Sequence, residues 1–277
     1  MLKIFVVLIC LILSGCARTE SKPTNKEPDL PTEKQETVFF EKNYMENLSG
    51  EKQSWGMRRN APERPEFTAE QTDAMDKYGC IYMGAAETKY LYLTFDEGYE
   101  NGQTGKILDV LKEKGVKAAF FITGDYFKSE KKLIDRMVDE GHIVGNHTMN
   151  HPCVPNLKDV ESVEREVLSL DRAFYARYGK HMKYFRPPEG AYSEKTLAVT
   201  KNLGYTNVFW SFAYDDWYRD KQRGADYAYN KTMENIHPGC VILLHAVSCD
   251  NANALGDIID DARKAGYEFL SLDEYIG

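Results

Sequence analysis

From residue 89 to the C-terminus, short runs rich in β-branched and aromatic residues alternate with longer amphipathic stretches. The runs Tyr90–Phe95, Lys117–Thr123, His142–Asn146, Tyr184–Arg186, Asn207–Phe212, Val241–His245 and Glu268–Leu272 read as strands. Residues 103–114, 129–140, 158–178, 193–203, 224–236 and 251–265 read as helices; Leu108 and Leu111 give the first its apolar face. Glycines 115, 141, 179, 204 and 266 fall just beyond helix ends, where a left-handed residue terminates a helix well. Strands alternating with helices predict a parallel α/β architecture. The pattern leaves a doubly wound sheet and a (β/α) barrel both open, and in either the functional groups belong at the C-terminal strand ends.

The N-terminus is different. Lys3 precedes the apolar run Ile4–Leu13, and Leu13-Ser14-Gly15-Cys16 follows. A basic start, a short apolar stretch and small residues at the cut predict a signal peptide over 1–15. The Leu-Ser-Gly-Cys sequence resembles a bacterial lipobox, which implies lipidation of Cys16, a lipid anchor in the membrane and an extracytoplasmic protein. Residues 16–37 have almost no apolar side chains and carry prolines 23, 28 and 31, so they are expected to be a disordered tether. Residues 38–88, with Trp55 and several prolines, read as an irregular N-terminal extension packed on the barrel. The formal charge of -8 argues against nucleic acid. Six cysteines without a CxxC pair do not make a disulfide scaffold or a thiolate zinc site. The disulfide state of Cys80, Cys153, Cys240 and Cys249 is left open, and no protein partner can be inferred.

The strand ends carry chemistry. Asp96 and Glu97 end the first run, His147 and His151 follow the third, Arg186 the fourth, Asp216 the fifth, and His245 ends the sixth. Two imidazoles four apart suit one divalent ion, although the same spacing is also met as a structural pair. Arg186 can hold a carboxylate by bidentate contact, and a carboxylate beside His245 would tune it as an acid. His142, His181 and His237 lack such company.

In this order, TFDEG (94–98), HTMNH (147–151), RPPEG (186–190), DDW (215–217) and LLH (243–245) resemble the five motifs of the NodB-type polysaccharide deacetylases, carbohydrate esterase family 4. The resemblance covers residues 89–275. It implies a distorted (β/α) barrel and metal-dependent removal of acetyl from an N-acetylated sugar, with zinc the expected ion. GYENG (98–102) and LLHAVSCDNANAL (243–255) are most similar to the subgroup acting on N-acetylmuramic acid of peptidoglycan glycan strands to form δ-lactam in spore cortex. By this resemblance Asp96 is the general base, Arg186 its orienting partner, His245 the general acid, and Asp216 its tuning carboxylate. His147 and His151 are metal ligands, while Leu243 and Trp217 line the substrate pocket. Two positions depart from the family: Glu97 replaces an aspartate ligand, and Ala213 replaces the first aspartate of Asp-x-x-Asp-Trp. Glu97 is therefore expected to be a weak or water-mediated third ligand. Action on peptidoglycan N-acetylglucosamine, O-acetyl esterase activity, or an inactive wall-binding lipoprotein are the alternatives.

Overall fold

The computed structural model describes residues 40–57 and 63–277. The expected signal peptide, Cys16 and the whole of the expected tether lie outside the described residues. Helix α1 (Lys42–Asn47), strand β1 (Gln53–Ser54) and helix α2 (Ala69–Lys77) form the N-terminal part, so this region holds more regular structure than its composition suggests. A capping box starts α2: the Thr68 hydroxyl accepts from Gln71 N–H, and the Gln71 side chain accepts from Thr68 N–H.

The βα series follows as β2 (Tyr90–Glu97), α3 (Thr104–Lys114), β3 (Ala119–Ile122), α4 (Gly124–Ser129), α5 (Lys131–Asp139) and β4 (Ile143–Asn146). It continues with α6 (Val160–Tyr178), β5 (Tyr184–Phe185), β6 (Ala191–Tyr192), α7 (Glu194–Asn202), β7 (Thr206–Asn207), α8 (Ala225–Met233), β8 (Cys240–His245), α9 (Cys249–Lys264) and β9 (Glu268–Leu270). The main sheet has seven parallel strands. Its order is β7-β5-β4-β3-β2-β8, and β9 pairs with the first three residues of β2. Strand β6 instead pairs antiparallel with β1.

The expected strand Asn207–Phe212 is split. Thr206 and Asn207 pair with β5, whereas Phe212 bridges to Ile242 of β8, so one segment spans the gap between the two ends of the sheet. Ile81 lies against its middle: Ile81 N–H donates to the Asn207 carbonyl, and Phe209 N–H donates to the Ile81 carbonyl. These bonds occupy backbone groups that a continuous ladder would use. The expected helix over 129–140 is preceded by α4, whose N-cap Thr123 accepts from Tyr126 N–H.

Two layers of core follow from strand alternation. The outward face of β2 sends Leu93 and Phe95 into the main core, where Phe95 stacks on Phe120 with ring centroids 5.1 Å apart. Full burial of such a ring stabilises by about 2–3 kcal/mol. Tyr92, Phe121, Tyr184, Val208 and Val241 form a second, smaller cluster. Tyr92 belongs to the other face of β2, so this cluster packs the barrel interior beneath Thr94 and Asp96.

Candidate active site

Asp96, His147, His151, Leu243, His245 and Trp217 line one cavity of about 500 Å³ at the C-terminal ends of the strands. The parallel register places Asp96 directly beside His245 on the neighbouring strand.

Arg186 is the buried pivot. Its Nη1 donates to Asp96 Oδ1 at 2.8 Å, its Nη2 to Thr94 Oγ1 at 2.9 Å, and its Nε to the Val208 carbonyl at 3.0 Å. The Phe121 ring lies 4.2 Å from the guanidinium carbon. Thr94 and Asp96 are two residues apart and so share the inner face, which lets one guanidinium hold both. Burial alone would raise the Asp96 carboxyl. The nearby Arg186, His147 and His245 outweigh it and hold Asp96 below the usual carboxylate range. Asp96 is therefore ionised at neutral pH.

Across the pocket the polarity is reversed. His245 Nδ1 lies 2.6 Å from Asp216 Oδ1, and His245 N–H donates to Asp216 Oδ2 at 2.8 Å. Asn251 Nδ2 donates to Asp216 Oδ2 at 2.5 Å, and Tyr214 hydroxyl donates to Asn251 Oδ1. Burial pulls the His245 imidazole down, but the Asp216 charge and hydrogen bond outweigh it and raise His245 above the ordinary value. With Nδ1 donating to Asp216, Nε2 is the nitrogen left for substrate.

His147 and His151 occupy a bent loop after β4. Thr148 and His151 both have positive φ, at 69° and 55°, which costs a non-glycine residue about 1–3 kcal/mol. The bend is held by Thr148 N–H donating to Asn146 Oδ1 and His151 N–H donating to Thr148 Oγ1, both at 2.9 Å. His147 Nδ1 sits 2.7 Å from the Arg186 carbonyl, which fixes its proton there and leaves the Nε2 lone pair 3.5 Å from Asp96 Oδ2. Burial first, and then the neighbouring His151 and Arg186, push His147 down to about 4 against the pull of Asp96. A neutral His147 oriented by a backbone carbonyl, with the His151 ring centroid 4.9 Å away, fits a divalent cation. Among the described residues, however, no group of three or more His, Cys, Asp or Glu side chains is arranged to hold one.

Glu97 accounts for the missing third ligand. Strand β2 runs through it, so its side chain leaves the face opposite to Asp96 and does not line the pocket. Its carboxyl is buried, 3.4 Å from the Thr104 hydroxyl, and burial together with the nearby Glu100 charge raises it well above the ordinary range. The expectation that Glu97 is a weak third ligand is corrected accordingly.

Several contributors escaped the sequence reading. Thr94 could have been found from its two-residue spacing to Asp96. Asn251 and Tyr214, which sit behind Asp216, had no local signal. Glu189 also lines the pocket with a positive φ of 61°, followed by Gly190, where a Cβ would approach Trp210 to 2.6 Å. The cysteines play no part here: Cys80, Cys153 and Cys249 carry free thiols.

A clamped carboxylate beside a clamped imidazole, with two further histidines in the same cavity, suits a hydrolysis in which water loses a proton and the leaving group gains one. The chain belongs to the polysaccharide deacetylase family, whose model matches residues 84–208. It is 44% identical over 231 residues to the peptidoglycan-N-acetylmuramic acid deacetylase PdaA of Bacillus subtilis, covering 83% of this chain and 88% of that one. The solved structure of B. subtilis PdaA, a family 4 carbohydrate esterase, superposes with a TM-score of 0.80 at 43% identity, over 82% of this chain and 98% of that one. A peptidoglycan-N-acetylglucosamine deacetylase of Bacillus cereus is 32% identical over 68% of this chain and 88% of its own length.

Proposed function

We propose that the chain removes the acetyl group from N-acetylmuramic acid in peptidoglycan glycan strands, in the δ-lactam-forming pathway of spore cortex. The observation that carries the chemistry is the opposed tuning of two neighbours: Asp96 is held ionised by Arg186, and His245 is held protonated by Asp216. Amide hydrolysis needs both, because water must lose a proton and the amine must gain one. Asp96 Oδ2 accepts the proton of a water attacking the acetyl carbon. His245 Nε2 then donates its proton to the sugar nitrogen as the C–N bond breaks, releasing acetate and the free amine. Leu243 and Trp217 supply the apolar wall for the acetyl methyl.

His147 and His151 are proposed to hold a divalent ion, zinc being the expected one. When bound, it supplies polarisation of the water and of the acetyl carbonyl. The muramic acid reading is supported by the 44% identical B. subtilis relative, and the glucosamine reading by the more distant B. cereus one. Mass spectrometry of peptidoglycan fragments, intact and stripped of stem peptides, after incubation with the purified protein decides between them. A mass loss matching one acetyl exchanged for hydrogen on muramic acid supports the first. Loss only on glucosamine sinks it, and no loss on either sinks the enzyme reading. Signal cleavage before Cys16, lipidation of Cys16 and an extracytoplasmic, membrane-anchored location complete the proposal.

A further inference from the structure

The described residues expose five large apolar side chains, and three of them, Tyr99, Trp217 and Tyr218, belong to the two loops beside the pocket. Their exposures are 46%, 42% and 39%, so nothing in the fold covers them. The loops are fastened to each other, because the Tyr99 hydroxyl donates to the Trp217 carbonyl at 2.6 Å. Two cations sit on this ledge. The Arg219 guanidinium lies 4.9 Å from the Tyr99 ring centroid, and Lys221 Nζ lies 4.0 Å from that of Tyr218.

Among the described residues neither cation has a carboxylate partner, although Asp220 lies between them in sequence. A guanidinium lying over a ring is held by its face and keeps its edge N–H groups free for bidentate contact with a carboxylate. Exposed aromatic faces beside it suit the C–H face of a sugar ring. Glu189 lines the same pocket from the loop after β5, across the barrel from the loop after β2. Its carboxylate has Lys52 Nζ at 3.8 Å as a counter-ion, whereas Arg219 has no carboxylate partner among the described residues.

We propose that Arg219, seated on Tyr99 at the pocket mouth, is a specificity residue that takes a carboxylate of the glycan, so that the chain selects an acidic amino sugar over a neutral one. The inference rests on the deacetylase reading and names the feature of the substrate that the site selects. In muramic acid the lactyl ether is on O3, next to the carbon that bears the acetamido group. With the acetamido group at Asp96, a free lactyl carboxylate lies near the mouth, within reach of a long flexible cation. N-acetylglucosamine has no such group.

The test uses two peptide-free glycan tetrasaccharides, one with lactyl carboxylates and one with the same groups as carboxamides. Binding to the Asp96→Asn protein is read by tryptophan fluorescence, with and without Arg219→Gln or Arg219→Lys. The carboxylate fragment is expected to bind about fivefold more tightly than the carboxamide, as a charge-assisted contact at an exposed site would give. That preference should vanish with Arg219→Gln and survive with Arg219→Lys. Equal binding of the two fragments, or a preference that persists in Arg219→Gln, overturns the proposal. Acetate release is measured in parallel with Asp96 intact, where Arg219→Gln should raise KM for the carboxylate fragment and leave kcat in place. A carboxylate preference without any acetate release would refute the deacetylase reading and leave the carboxylate subsite standing.

Discussion

Asp96 and His245 are neighbours on adjacent strands, yet their environments drive them in opposite directions. Arg186 supplies positive charge to the first, and Asp216 supplies negative charge to the second. Asp96→Asn and His245→Ala are each expected to lower kcat by about 10²-fold or more, as loss of general acid–base catalysis does. Asparagine keeps an oxygen for Arg186 Nη1, so cooperative unfolding should persist; turnover at the wild-type rate in either variant would remove that residue from the mechanism. The pH profile carries a sign. Activity needs Asp96 ionised and His245 protonated, so it should plateau above the lowered Asp96 value and fall as pH rises through the raised His245 value. In Asp216→Asn the burial that pulls His245 down is no longer opposed by that charge, and the alkaline limb should move to lower pH. The same His245 protonation stabilises the fold: the gain is fully present below 6.5 and lost as pH rises through the folded value. Glu97 behaves differently, because its buried carboxyl leaves the face of β2 opposite to Asp96 and is raised well above the ordinary range by burial and the nearby Glu100. Glu97→Gln should therefore leave divalent-ion affinity and the reactivation of chelator-treated protein unchanged, measured by calorimetry and acetate release. A tenfold loss of affinity (about 1.4 kcal/mol) would return Glu97 to the ligand set.

At the scale of elements, the strand–helix alternation was legible wherever hydrophobic periodicity and helix-ending glycines agreed. Helix α3 is the clearest case: it ends at Gly115, which adopts φ 63° as a left-handed cap. What escaped has identifiable causes. Residues 206–212 have the composition of a strand, but their partners change from β5 to β8 along the segment, and periodicity carries no information about partners. Helix α2 had a readable start in Thr68-Ala69-Glu70-Gln71, the capping-box pattern. The adjacency of Asp96 and Glu97 allowed a base and a third ligand to share one pocket only if the strand ended between them. The strand continues, so they diverge. One element-scale contact links packing to catalysis. Gly145 of β4 leaves room for the Phe121 ring, which a Cβ would approach to 2.5 Å, and that ring carries the Arg186 guanidinium. Gly145→Ala should cost about 1–3 kcal/mol by overpacking and should lower kcat as Arg186 shifts away from Asp96. Calorimetry and acetate release check the pair. A destabilised protein with wild-type kcat would show that Arg186 tolerates displacement.

For the molecule as a whole, five motifs spread over about 150 residues of sequence reach one cavity, because a parallel sheet sends every strand's C-terminal end to the same side. The functional site was therefore legible as a set, even where single residues were not. The N-terminus is governed by different physics. A lipid-modified Cys16 followed by a polar, proline-bearing segment would hold the catalytic part near the membrane while letting it reach a polymer some distance away. One lipid chain alone binds a bilayer only marginally, and stable anchoring needs a second signal, which the additional acyl chains of a lipidated N-terminal cysteine would supply. Catalytic residues of the described part do not depend on that anchor. Cys16→Ala should accordingly move the protein from the membrane to the soluble fraction while acetate release from soluble glycan fragments stays at the wild-type rate. Deacetylation of the cell's own wall should fall, because the tether no longer raises the local enzyme concentration there. Fractionation and muropeptide analysis of the same culture measure both effects. Retention of the variant in the membrane fraction would refute lipidation at Cys16, and an unchanged wall would show that anchoring does not limit access to the substrate.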